Sequence, residues 1–89
     1  MGDFIIAETE SFQKKIKTLK YSQLYPKITD YVYPLLRTNP FYGSNIKKLK
    51  GEYQDVYRFR IGSYRLFYKI AQDKVIVFIF DIESRKDAY

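Results

Sequence analysis

Arg58, Arg60 and Arg65 lie close together in the run VYRFRIGSYR, residues 56–65. A guanidinium is a planar fork of N–H donors that stays charged at physiological pH and grips a phosphate two bonds at a time, so arginines at alternating positions suit an anion. Tyr57, Phe59 and Ile61 alternate with Val56, Arg58 and Arg60, and this period of two is that of a half-buried strand. Gly62-Ser63 forms a Gly-first turn that suits a tight hairpin, and a second alternating run, residues 64–71, follows at once. The implied register sets Ile61 against Tyr64, Arg60 against Arg65, Phe59 against Leu66 and Tyr57 against Tyr68. Tyr57, Phe59, Leu66 and Tyr68 then line a core face, and Arg58, Arg60, Arg65 and Lys69 share the other. Like charges directly opposite on a sheet cost roughly 0.2–1 kcal/mol, a cost that an anionic ligand removes.

Further cations lead into this strand. Residues 41–51 read FYGSNIKKLKG, a loop with glycines near both ends, anchored by Ile46 and Leu49 and carrying Lys47, Lys48 and Lys50. With Lys69, these lysines extend the arginine face into one phosphate-contacting surface. The formal charge of +6 is concentrated here: residues 45–71 hold seven basic and two acidic side chains, and residues 72–89 three and four. A localised basic patch points to nucleic acid or an acidic protein partner. The chain has neither cysteine nor histidine. That excludes disulfides, thiolate zinc sites, Ser/His triads and imidazole acid–base pairs, and no metal or cofactor is expected.

Eighty-nine residues make a single domain, 1–89, with a modest core. The longest apolar run, residues 75–80, is far short of the roughly 20 residues that cross a bilayer, so a soluble cytoplasmic protein without membrane contact is expected. Residues 4–7 suit a strand. Thr9 is placed to cap a following helix, whose apolar side is Phe12, Ile16 and Leu19 over about three turns. A second helix begins at Pro26, with Ile28, Tyr31, Val32, Leu35 and Leu36 as its stripe, and kinks or restarts at Pro34. After the hairpin, residues 74–82 are apolar on both faces, as an interior strand is. Ser84 is placed to cap a short C-terminal helical turn. The expected fold is α+β, with an N-terminal strand, a helical hairpin and a three-stranded antiparallel meander (β-α-α-β-β-β).

The stretch from Leu49-Lys50-Gly51 through Tyr57–Tyr68, with Arg85 and Tyr89 in the tail, resembles toxins of the RelE/ParE superfamily. The resemblance implies this same fold and a toxin held inactive by a cognate antitoxin. It is nearer the RelE branch, metal-independent endoribonucleases that cut mRNA on the ribosome by attack of a 2′-hydroxyl on the adjacent phosphodiester. Carried over by position, the catalytic group is Arg58, Arg60, Arg65, Arg85 and Tyr89. Ser84 stands where many relatives carry histidine, and the base that takes the 2′-hydroxyl proton stays open among Glu52, Asp81, Glu83 and Tyr89. Two other readings fit the same resemblance. One is a ParE-like inhibitor of DNA gyrase without hydrolytic activity, and the other a catalytically weak RNA-binding domain.

Overall fold

The computed structural model describes residues 3–51 and 55–84. Arg85, Tyr89, Glu52 and the expected C-terminal helical turn lie outside them. Strand β1 (Ile5–Glu8) leads into α1 (Glu10–Ile16). Thr9 caps α1 as expected, its Oγ1 accepting the Phe12 N–H at 3.2 Å. The helix has seven residues and is shorter than the three turns expected, its C-cap falling at Lys17. Leu19, assigned to the buried stripe from sequence, lies beyond the last turn and is 95% exposed.

A 3₁₀ turn (Ser22–Leu24) opens the second helical region, which runs through α2 (Tyr25–Lys27), a π turn (Ile28–Val32) and α3 (Tyr33–Thr38). Pro34 has no N–H for the Asp30 carbonyl, yet the helical path neither stops nor restarts. The helix widens just ahead of it, and the Tyr33 N–H reaches back to the Ile28 carbonyl. The extra residue in this turn re-aims the side chains. Ile28, Val32, Tyr33 and Leu36 are buried, whereas Tyr31 and Leu35, expected in the stripe, are 52% and 44% exposed.

Residues 41–51 are not wholly loop. Ile46–Lys48 forms β2, a short edge strand on β3 (Val56–Ile61). Strands β4 (Tyr64–Ala71) and β5 (Ile76–Ser84) complete a five-stranded sheet of order β1-β5-β4-β3-β2, antiparallel except for the β1–β5 pair. Apolar on both faces, β5 is interior as its composition requires. Gly62 takes φ +56° while Ser63 does not turn positive, as a Gly-first hairpin turn demands.

The helices cover one face of the sheet. Phe12, Ile28, Val32 and Leu36 meet Leu66, Tyr68, Val77, Ile79 and Ile82 there, all fully buried. Each such aliphatic or phenyl side chain contributes about 1.5–3 kcal/mol when removed from water. Tyr68 stacks on Tyr57 with ring centroids 5.6 Å apart and donates its hydroxyl to the Pro40 carbonyl at 2.7 Å, which fixes the chain leaving α3. Burial pushes the Tyr68 phenol well above its ordinary pKa, so it remains a donor.

Candidate nucleic-acid interface

The register of the β3–β4 hairpin is the one its sequence implies: Arg60 pairs with Arg65, Phe59 with Leu66 and Tyr57 with Tyr68. Ile61 and Tyr64 close the two-residue turn, so the next pair, Arg60–Arg65, is one that exchanges no backbone hydrogen bonds and brings its Cα atoms to about 4.5 Å. The Arg60 N–H turns outward instead and donates to the Asn45 carbonyl at 2.9 Å. Strand alternation then sets Arg58, Arg60 and Arg65 on the face away from the helices. Arg60 is exposed and Arg65 half-buried. Arg58 is also half-buried, with its Nε shielded from solvent.

Across the sheet this face is organised in rows. Lys47, Arg58, Phe67 and Asp81 form one row, and Arg60, Arg65 and Glu83 the next. Lys69 pairs with Val56 and Phe78 one step further along and holds its Nζ 5.8 Å from the Phe80 ring centroid. Lys47 therefore adjoins the arginines, while Lys69 stands two same-face positions from Arg65, about 13 Å along the strand. Lys48 pairs with Tyr57 on the helix-side face and lies 5.9 Å from that ring, so the structure does not bring it to the arginines. Lys50 is exposed beyond the end of β2.

Two carboxylates share the arginine face, and neither stands alone. Strand β1 stops opposite Ile79, leaving the rest of β5 as an edge, and Lys15 of α1 reaches it there. Lys15 Nζ lies 2.9 Å from Asp81 Oδ1 and 3.2 Å from Glu83 Oε1. Asp81 Oδ1 also accepts the Ile82 N–H at 2.8 Å. Burial alone lowers the pKa of Lys15, but its bonds to Asp81 and Glu83 and their charges reverse this, holding the ammonium above its ordinary value. The two acids are thereby compensated at the rim of the cationic surface. No local spacing in the sequence links Lys15 to these partners, 66 and 68 residues away.

A sheet with one helix-covered face and one arginine-bearing face defines a small α+β protein with a cationic sheet surface. The profile of the ParE toxin of type II toxin–antitoxin systems (parDE) matches residues 7–89, and the chain belongs to this family, within the RelE/ParE superfamily. Solved structures agree. The RelBE2 toxin–antitoxin complex of Mycobacterium tuberculosis contains a chain of TM-score 0.80 at 21% identity, covering 96% of this chain and 94% of that one. The RelE–RelB complex of Pyrococcus horikoshii gives 0.72 at 20% identity, covering 93% and 96%. The intact RelBE complex of E. coli gives 0.62 at 26%, covering 91% and 95%. At such identities the likeness carries the fold. A comparison with curated proteins gives no match.

Proposed function

We propose that this toxin is a ribosome-dependent endoribonuclease acting on mRNA. The observation that carries the reading is the register pairing of Arg60 with Arg65, with Arg58 and Lys47 in the adjoining row of the same face. Arg60 and Arg65 set two cations side by side, with Glu83 opposite Arg65 on its other flank, and a phosphate between the two guanidinium groups is held by two charge-assisted forks.

The reaction needs no protein nucleophile. The ribose 2′-oxygen bonds to the adjacent phosphorus, the bond from phosphorus to the 5′-oxygen breaks, and one proton leaves the 2′-hydroxyl while another reaches the 5′-oxygen. Arg60 and Arg65 stabilise the extra negative charge of the phosphorane, a contribution of about 3–4 kcal/mol for a well-placed donor. Arg58 adds to that field from the neighbouring row. Arg85 and Tyr89 are assigned to the leaving oxygen and to base stacking by their positions in the superfamily motif.

A cognate antitoxin is the expected partner, as in the RelB-bound neighbours, and its acidic or amphipathic segment is assigned to the cationic face. Primer extension on a message translated by purified ribosomes tests the function. Cleavage that requires ribosomes and falls about 100- to 1,000-fold in Arg65→Ala is expected. Intact messages together with gyrase-linked DNA breaks would instead assign the chain to gyrase inhibition.

A further inference from the structure

Where β3 runs on past the start of β2, a cleft of about 260 Å³ opens on the helix side, between the sheet edge and the second helical region, and Phe59 and Ile61 form part of its wall. Lys27, Tyr31, Asn45 and Arg60 contribute its polar and aromatic lining, and its described lining carries no carboxylate. Each is set by a specific feature of the fold. The π turn places Ile28 and Val32 in the core and leaves Tyr31 52% exposed. Asn45 is held by its carbonyl, which accepts the Arg60 N–H at 2.9 Å, and by the turn in which the Ile46 N–H meets the Gly43 carbonyl at 3.1 Å. A Cβ at Gly43 would sit 3.1 Å from Ile46 Cδ1, so a larger residue there would displace that side-chain tip by a few tenths of an ångström.

We propose that this cleft is a base-binding subsite for the nucleotide next to the cut phosphate in single-stranded RNA. The inference rests on the RNA-cleaving reading and adds a residue set to it. Tyr31 supplies a π platform, Asn45 a side-chain donor and acceptor for a base edge, and Lys27 charge for the attached phosphate. A bare phosphate has no use for the ring, and an apolar peptide none for the cations. Arg60 lies on the β3 edge between the two, lining the cleft while its side chain belongs to the opposite face, so an RNA strand with a base in the cleft passes round that edge to reach the arginines. The volume lies just below the roughly 300–1,000 Å³ of pockets for drug-sized ligands, which suits one base.

The test is fluorescence anisotropy of an eight-nucleotide RNA with 2′-O-methyl riboses, which the enzyme cannot cut. Tyr31→Ala is expected to weaken binding about tenfold without changing its salt dependence, since stacking rather than a cation is lost. Tyr31→Phe keeps the ring and stays within about twofold, and Asn45→Ala alters the preference among bases. Leu35→Ala, exposed on the same helical region but outside the cleft, leaves binding unchanged. Wild-type affinity in Tyr31→Ala overturns the subsite while leaving the RNA reading intact, and loss of antitoxin binding in that variant with RNA binding retained reassigns the cleft to a protein partner. If the wild-type chain binds no RNA at low salt, the subsite falls, and the cleavage reading is decided separately by primer extension with ribosomes.

Discussion

Tyr33 donates its hydroxyl to Glu8 Oε2 at 2.6 Å, and Tyr25 donates to the same oxygen at 2.8 Å. One carboxylate at the end of β1 thus gathers two phenols from the second helical region and pins that region to the sheet edge. A hydrogen bond to a charged acceptor contributes about 1.5–3 kcal/mol. Tyr33→Phe is expected to lower stability by about 1.5 kcal/mol, the lower end, because Glu8 is half-buried and keeps its bond to Tyr25. Urea denaturation of wild type and variant measures the difference, and an unchanged midpoint would remove the pin from the account.

The same cluster sets an alkaline limit. Burial, followed by the bond to Glu8 and its charge, pushes Tyr25 up to about 12, and the same causes raise Tyr33 further. In the unfolded chain both phenols titrate near their ordinary value of about 10. The folded state therefore binds more protons between these values, so stability is fully present below pH about 10 and is lost as pH rises toward and through 12. Lys15, also raised, loses its contribution in the alkaline range as well, so the test is a comparison of slopes. The double variant Tyr25→Phe/Tyr33→Phe is expected to decline less steeply from pH 9.5 to 11.5 in thermal melts, and an identical decline would exclude the cluster as its source.

The opposed arginines predict a conflict between stability and function. Arg60→Thr removes a like-charge pair from a non-hydrogen-bonded position and introduces a residue that suits strands, so stability is expected to hold or rise by about 0.5 kcal/mol. Cleavage is expected to fall at least about 100-fold, as when a transition-state donor is removed. Thermal melting and primer extension on the same preparation read the two effects. A loss of stability would mean that Arg60 serves the fold and would weaken the phosphate assignment.

The hairpin was legible because alternation, a Gly-first turn and a fixed register act within a short stretch, so Arg60 facing Arg65 follows from counting. The interior character of β5 was legible from its apolar residues on both faces. Strand β2 was not, since three residues of mixed polarity carry no period and only pairing with β3 makes them a strand. The helical stripe failed at Tyr31 and Leu35 because a strict 3.6-residue period does not anticipate the π turn that accommodates Pro34. Long-range charge compensation was equally invisible. Lys14 has Glu10 four residues before it and pairs with it at 3.2 Å, whereas Lys15 has Ser11 at that spacing and nothing nearby in sequence points to Asp81 or Glu83.

That difference between neighbouring lysines gives a final prediction. Asp81 and Glu83 put two negative charges at the edge of the face assigned to RNA, and Lys15 offsets them. Lys15→Met keeps most of the side-chain volume and exposes the incoming phosphate to both carboxylates. An uncompensated unit charge at contact distance costs about 1 kcal/mol in water, so RNA affinity is expected to fall about fivefold at low salt, with the deficit shrinking as salt rises. Lys14→Met, whose partner lies on the exposed side of α1, is expected to change RNA binding by less than about twofold, since exposed pairs of this kind contribute little. Stability of Lys15→Met should fall by no more than about 1 kcal/mol, because the pairs are a third exposed. Equal effects of the two substitutions in a salt titration of RNA binding would show that total charge, rather than compensation of these two acids, governs the interface.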